Sequence, residues 1–222
     1  MSNHICHISI DDVTNAFRSL SHAGDSIYNV RFFRYIYALH RLLGLKMTLY
    51  VYAQNREWTL KYVTDIYKHE LEEASDWLKF GFHAVSDEQK ENNYMPNFEG
   101  AFVEANKQIE RFAGARSIAE ILRLHYWYYP AEYVETLKNH GVQTILTYEG
   151  QKIASLGLNQ WITNIRIEQD TFRQIINKIS HHVNNQPLVI FTHEWALNRR
   201  NKIKLAITIA LLRLLGYQFI CE

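Results

Sequence analysis

Apolar runs typical of β-strands alternate with segments of helical periodicity along almost the whole chain. In residues 27–43 the apolar side chains recur at the spacing of one helix face, and Gly44 follows where a C-terminal cap belongs. Residues 46–52 instead form a β-branched and aromatic run of period two. These patterns predict strands over 5–11, 46–52, 79–83, 142–147, 161–167, 187–192 and 217–221, and another within 118–126. They predict helices over 27–43, 99–113, 130–141, 169–183 and 195–215, and a helix-like region after 46–52 that ends near residues 77–78.

Strands that alternate with helices favour a parallel sheet or barrel. The 222 residues contain no repeat, low-complexity tract or linker, and α/β barrels of this size form one domain. We therefore predict a single α/β domain over residues 1–222. The polar residues 84–98 are predicted to form a long loop over the functional site.

Composition and charge narrow the classes of partner. The 24 Lys and Arg residues balance 23 Asp and Glu residues and are scattered, which argues against a nucleic-acid partner. Residues 205–215 are strongly apolar but too few to span a bilayer, and the N-terminus lacks a secretory signal pattern. We predict a cytoplasmic protein with no membrane partner; its oligomeric state stays open. Cys6 and Cys221 are predicted to be buried free thiols, with a disulfide between them as the alternative.

Four short polar clusters each close a predicted strand: residues 9–12, 82–87, 123–126 and 191–195. In barrel-like α/β enzymes the carboxyl ends of the strands carry the chemistry, and the rest of the barrel carries the packing. We therefore expect the four clusters to meet at one rim of the barrel.

Asp12, His83 and Asp87 are the candidate metal ligands. His83 and Asp87 are four residues apart, a spacing that brings both side chains to one side of a helical turn. Three protein ligands leave a coordination position open for water, as catalytic metal sites do. Zinc is the first choice of ion, with Mn, Fe, Co or Ni as competitors. Taken singly, the carboxylates could instead cap a helix and His83 could lie in an exposed loop.

Asp11, Arg123 and His193 are the candidate catalytic residues. One carboxylate of the Asp11-Asp12 pair could bind the metal while the other accepts a proton from water. His193 ends a strand and suits a general acid, although a backbone hydrogen bond would also explain it. A buried Arg123 near Asp11 would keep that carboxylate ionised, unless the arginine only forms an ordinary salt bridge.

In this order the clusters resemble the motifs of the polysaccharide deacetylase family, carbohydrate esterases related to chitooligosaccharide and peptidoglycan deacetylases. That family has an Asp-Asp pair after its first strand, a His-x-x-x-His pair, an Arg-x-Pro-Tyr motif and a final Leu-x-His. The resemblance covers residues 8–195 and implies the family's distorted, seven-stranded (β/α) barrel.

The resemblance also implies roles for the first two clusters. Asp11 would be the catalytic base, and Asp12 and His83 would be metal ligands. Asp87 stands where the family has its second histidine, so a carboxylate would replace an imidazole there.

For the later clusters, Arg123 matches the motif arginine and His125 replaces its proline. Tyr126 matches the aromatic residue whose backbone N–H would help to bind the oxyanion. His193 would be the catalytic acid. The family's Asp-x-x-Asp-Trp segment, whose aspartate supports the arginine, has no counterpart beyond Glu149 within residues 143–150.

The resulting prediction is a metal-dependent hydrolase that removes an N- or O-linked acetyl group from a carbohydrate, with water on the metal as nucleophile. Tyr126, Trp127, His125 and Trp195 are the predicted substrate-binding residues, and plain rim packing is the alternative for each aromatic ring. Two other functions remain open: a metal-dependent amidase acting on a small non-sugar amide, and a non-catalytic carbohydrate-binding protein.

Overall fold

The computed structural model describes residues 4–88, 95, 97–154, 156–182 and 186–222. The strands are β1 (Ile5–Val13), β2 (Met47–Tyr52), β3 (Gln54–Asn55), β4 (Trp58–Thr59), β5 (Leu78–Ala84), β6 (Ile121–Leu122), β7 (Thr144–Thr147), β8 (Asn159–Arg166), β9 (Leu188–His193) and β10 (Gln218–Ile220). The helices are α1 (Asn15–Leu20), α2 (Arg31–Leu43), α3 (Lys68–Glu73), α4 (Phe98–Ala113), α5 (Ala131–Asn139), α6 (Phe172–Ser180) and α7 (Arg199–Leu214).

Parallel strands form a barrel in the order β5, β2, β1, β9, β8, β7 and β6. The barrel closes between β5 and the residues before β6 through a single parallel bridge, Phe80 to Ile118. β10 lies parallel to the first residues of β1, where Ile5 pairs with Gln218. Helices occupy most of the connections, as parallel pairing requires. The predicted seven-stranded (β/α) barrel is confirmed.

Strands β2, β5 and β7 are buried on both faces because helices cover the outside of the barrel there, whereas most residues of β8 are half-buried. Every residue of β2 and β5 is buried, which matches their nearly continuous apolar sequence. Helix α2 turns Phe33, Ile36 and Leu39 toward the barrel and ends at Gly44, which has the left-handed conformation (φ 69°) of the predicted cap.

The barrel wall also contains the two cysteines. Cys6 and Cys221 are both buried and free, as predicted. Among the described residues, no helix combines the length and the apolar character that crossing a membrane requires.

Two short elements escaped the sequence prediction: α1 and the two-stranded β3–β4 hairpin. Helix α1 has six residues and β3 and β4 have two each, too few to show a hydrophobic period. Helix α3 lies within the region predicted to be helical before residues 77–78. In addition, α6 begins at Phe172, because Thr171 and Gln174 form a capping box there. Much of the predicted loop 84–98, namely residues 89–94 and 96, lies outside the described part of the chain.

Candidate functional site

A β-bulge at the end of β1 brings two adjacent carboxylates into one pocket. The register between β1 and β2 shifts between Ile10 and Val13, so β1 carries an extra residue there. Asp12 has a φ of 60°, in the left-handed region that few non-glycine residues adopt. Adjacent strand residues normally face opposite sides, so this bulge explains why Asp11 and Asp12 line the same pocket.

The pocket has a volume of about 220 Å³ and lies at the carboxyl ends of the barrel strands. Every predicted site residue except Asp87 lines it. The lining residues are Asp11, Asp12, His83, Arg123, Leu124, His125, Tyr126, Trp127, Arg166, Phe191, His193 and Trp195.

Three ligand atoms of the metal-binding type meet in this pocket: Asp12 Oδ1, His83 Nε2 and His125 Nδ1. The aspartate oxygen lies 3.3 Å from the His83 nitrogen and 3.8 Å from the His125 nitrogen. The two nitrogens are 3.2 Å apart. In tetrahedral coordination at about 2.0–2.1 Å, neighbouring ligand atoms lie roughly 3.3–3.4 Å apart. The three residues therefore fit a divalent ion such as zinc.

Asp87, the third ligand predicted from the sequence, does not belong to this group. The prediction placed His83 and Asp87 on one helical turn, but His83 lies within β5 and Asp87 is an exposed turn residue beyond that strand. The spacing argument therefore did not apply. His125, predicted to bind substrate, takes the third position instead.

Hydrogen bonds and burial prepare these three side chains for a cation. His83 Nδ1 donates a 2.6 Å hydrogen bond to the carbonyl oxygen of Arg123, so Nε2 faces the candidate cation site. Burial lowers the pKa of His83, but the hydrogen bond with Asp12 and the charges of Asp11 and Asp12 outweigh burial and raise this pKa, so a metal ion would displace the proton from Nε2. Burial, together with the charge of His83, lowers the pKa of His125 to about 4. Burial raises the pKa of Asp12, but His83 and Tyr52 outweigh it and hold this pKa well below its ordinary value.

Asp12 is also held by two aromatic side chains. The phenol of Tyr52 donates a 2.5 Å hydrogen bond to Oδ1, and its oxygen lies 3.2 Å from His125 Nδ1. The indole of Trp195 donates a 2.9 Å bond to Oδ2. Sequence reasoning missed Tyr52, although it is the last residue of β2 and thus shares the rim position of the polar clusters.

Asp11 lies between a hydroxyl and a guanidinium. Ser9 Oγ donates to Oδ1 over 3.1 Å, and Arg123 Nε lies 3.4 Å from Oδ2. The Arg123 and Asp11 side chains are each only 2% exposed, so water screens their attraction little. The guanidinium carbon also lies 3.9 Å from the centroid of the Phe191 ring, a cation–π distance. The predicted proximity of Arg123 and Asp11 is thus present in the structure.

His193 is oriented by a carboxylate that the sequence analysis missed. Glu168 Oε1 lies 2.6 Å from His193 Nδ1 and 2.5 Å from Arg166 Nε, and Thr192 Oγ1 donates to the other oxygen. Burial raises the pKa of Glu168, but the bonds from His193 and Arg166 lower it to about 2. Glu149, the only carboxylate considered from the sequence, lines a different cavity.

Two residues after β6 have unusual backbone conformations. Tyr126 and Trp127 have φ values of 55° and 51°, both in the left-handed region. Tyr126 is 48% exposed at the pocket mouth, whereas Trp127 packs against the core. Trp127 also lies near the Arg123 guanidinium, 5.6 Å from its central carbon to the ring centroid.

No family model and no curated protein matches the sequence. Solved structures do match its fold. A peptidoglycan N-acetylglucosamine deacetylase superposes with a TM-score of 0.62 at 13% identity, over 99% of this chain and 87% of its own. A family 4 acetyl xylan esterase from Clostridium thermocellum, in complex with a cobalt ion, gives 0.56 at 13% identity, over 97% and 87%.

A family 4 carbohydrate esterase pseudoenzyme from Bacillus anthracis gives a TM-score of 0.60 at 8% identity. The match covers 98% of this chain, which spans 63% of the length of that structure. The protein has the polysaccharide deacetylase fold. The resemblance predicted from the motifs is thus confirmed for this deacetylase-fold protein at the level of the fold.

Proposed function

We propose that the protein is a metal-dependent hydrolase that removes an acetyl group from a carbohydrate. The observation that carries the proposal is the group of Asp12, His83 and His125, set in one pocket with Asp11 and His193. The acetylated carbohydrate is suggested by the fold, which the protein shares with an N-acetylglucosamine deacetylase and an acetyl xylan esterase.

Asp12 Oδ1, His83 Nε2 and His125 Nδ1 would hold the divalent ion. Bound there, the ion would polarise the acetyl carbonyl and lower the pKa of a water molecule. One carboxylate and two imidazoles are a frequent zinc ligand set, so zinc is the proposed ion. A cobalt ion in one of the similar structures makes cobalt the natural spectroscopic substitute.

Asp11 acts as the general base in this proposal. Its carboxylate lies next to the metal ligand Asp12 and accepts a proton from the attacking water. The Arg123 guanidinium lies 3.4 Å from Oδ2 and places the opposite charge beside this carboxylate. Ser9 fixes the other oxygen, so the carboxylate keeps one orientation during the reaction.

His193 acts as the general acid. Its Nδ1 is engaged by Glu168, and Nε2 lies 4.0 Å from Asp12 Oδ2, on the pocket side of the ring. The ionised Glu168 stabilises the protonated imidazole, and Nε2 then gives its proton to the leaving amine or alcohol. A carboxylate that orients the acid from the end of β8 thereby supports catalysis without touching the substrate.

Substrate binding is assigned to the aromatic rim and one backbone amide. Trp195 is 65% exposed and Tyr126 is 48% exposed, so both rings offer a face to a sugar. The Tyr126 backbone N–H is proposed to donate to the oxyanion that forms on the acetyl group. Trp127, being packed against Arg123, is proposed to support that guanidinium.

The test is an acetate-release assay with zinc- or cobalt-loaded protein. The substrates are N-acetylated chitooligosaccharides, acetylated xylan and a set of small acetamides. Release from an acetylated carbohydrate that stops when the metal is chelated supports the proposal. Release from the small acetamides alone supports the amidase alternative. Metal binding without acetate release from any of these substrates contradicts hydrolase activity.

A further inference from the structure

Glu194 bridges the chain segment that follows the candidate metal ligand Asp12. Its Oε2 accepts hydrogen bonds of 2.8 Å from the backbone N–H groups of Thr14 and Asn15. Its Oε1 accepts a third, of 2.6 Å, from Ala16. These amides open helix α1, where Thr14, the capping residue, forms no side-chain cap bond of its own. The distant carboxylate therefore satisfies the amides that a local cap would otherwise bond.

These three bonds lie directly beside a strained conformation. The left-handed conformation is unfavourable for residues other than glycine, and Asp12 adopts it in the bulge. Strained residues persist only where the surrounding structure over-determines them. The chain leaves Asp12 and reaches the first bonded amide, that of Thr14, two residues later. Glu194 thus restrains the chain at the point where the bulge must be held.

The Glu194 side chain also links the ends of β1 and β9, where candidate catalytic residues lie. Glu194 directly follows His193, and Asp11 pairs with His193 in the register of β1 and β9. A carboxylate anchored at the end of β9 therefore fixes the end of β1 beside it.

We propose that Glu194 is a positioning residue for the candidate metal centre: by binding the Thr14, Asn15 and Ala16 amides, it holds the Asp12 carboxylate in ligating geometry. The effect on metal affinity rests on the proposed function, whereas the effect on the backbone does not. Glu194 touches neither the ion nor the substrate in this proposal.

Glu70 supplies a matched control far from the pocket. Its Oε2 accepts a 2.8 Å bond from the Ile27 amide, and its Oε1 accepts a 2.7 Å bond from Ser26 Oγ. It lines a cavity with Lys46 and Trp77, which precede β2 and β5, so it lies at the opposite end of the barrel. Glu70→Gln therefore removes a comparable carboxylate anchor without altering the β1 bulge.

The experiment compares the full-length wild type, Glu194→Gln and Glu70→Gln, each stripped of metal. Zinc affinity is measured by calorimetry, and backbone hydrogen exchange over residues 11–16 by mass spectrometry. Glutamine keeps the shape but replaces one acceptor oxygen with an NH2 group, which donates and cannot accept these N–H bonds. We expect Glu194→Gln to lose about 10–100-fold in zinc affinity, the range for partners that orient metal ligands, and to exchange faster over residues 11–16. Glu70→Gln should keep wild-type values for both.

Wild-type zinc affinity and unchanged exchange in Glu194→Gln would overturn the proposal, as would an equal loss of affinity in Glu70→Gln. If Glu194→Gln does not fold, Glu194→Asp carries the same test, because the shorter side chain cannot reach all three amides. If the wild type itself binds no zinc, the proposed function fails. Hydrogen exchange in the metal-free variants then tests the positioning role of Glu194 alone. Faster exchange over residues 11–16 in Glu194→Gln supports that role, and unchanged exchange contradicts it.

Discussion

The indole Nε1 of Trp195 donates a hydrogen bond of 2.9 Å to Oδ2 of Asp12. Trp195 is 65% exposed, so this contact joins a surface ring to a carboxylate that is itself only 13% exposed. Tyr52 holds the other oxygen of the same carboxylate. The rim aromatic predicted to bind a sugar therefore also orients a candidate metal ligand.

This contact makes Trp195 a reporter of metal binding. Because a cation at Asp12 changes the charge on the oxygen that accepts the indole N–H, zinc should change the tryptophan emission of the wild type. Trp195→Phe should lose most of this change and about tenfold in zinc affinity, as loss of a ligand-orienting bond predicts. Trp77→Phe, at the other end of the barrel, should keep both the emission change and the wild-type zinc affinity. An equal emission change in the Trp195→Phe protein would refute this assignment.

Replacing Asp11 should separate catalysis from metal binding. Asp11→Asn keeps the shape but removes the proton acceptor, so kcat for acetate release should fall by about 10²–10⁴. Zinc affinity should change only a few-fold, because Asp11 is not one of the three ligand residues. Metal analysis and single-turnover kinetics on the same preparation check both parts. A variant with wild-type kcat would show that another group takes the proton.

Glu168 should make stability depend on pH in the acid range. Its pKa is about 2 in the folded protein against an ordinary value of 4.5, so the unfolded chain binds the extra proton between these values. The stabilisation is complete above pH 4.5 and is lost as the pH falls toward 2, by up to about 3 kcal/mol for this shift. Urea unfolding measured from pH 2 to 6 should show that the free energy of unfolding depends less on pH for Glu168→Gln than for the wild type. Parallel profiles would contradict the assignment.

The barrel could be predicted because its main signals are local. Alternating strand and helix patterns located β1, β2, β5 and β9, and the parallel topology followed from that alternation. The ends of those strands then placed Asp11, Asp12, His83 and His193 at one rim, and all four line the pocket.

The rest of the site depends on geometry that the sequence pattern does not carry. The bulge at Asp12 lies in the pairing between β1 and β2, and the Thr14 amide that follows it bonds to a carboxylate 180 residues away. His125 replaces Asp87 because Asp87 lies beyond the end of β5, which sequence spacing alone does not reveal. Glu168 follows β8 without any neighbouring motif, so only its hydrogen bond to His193 identifies it.

The central claim is that Asp12, His83 and His125 form the metal centre, and paired variants of His125 and Asp87 test it most directly. The measurement is zinc stoichiometry and affinity for metal-free wild type, His125→Ala and Asp87→Ala. We expect one ion per wild-type chain and wild-type zinc affinity for Asp87→Ala. His125→Ala should lose more than about 100-fold, beyond the loss typical of outer-shell partners. Tight binding by His125→Ala together with weak binding by Asp87→Ala would contradict the account.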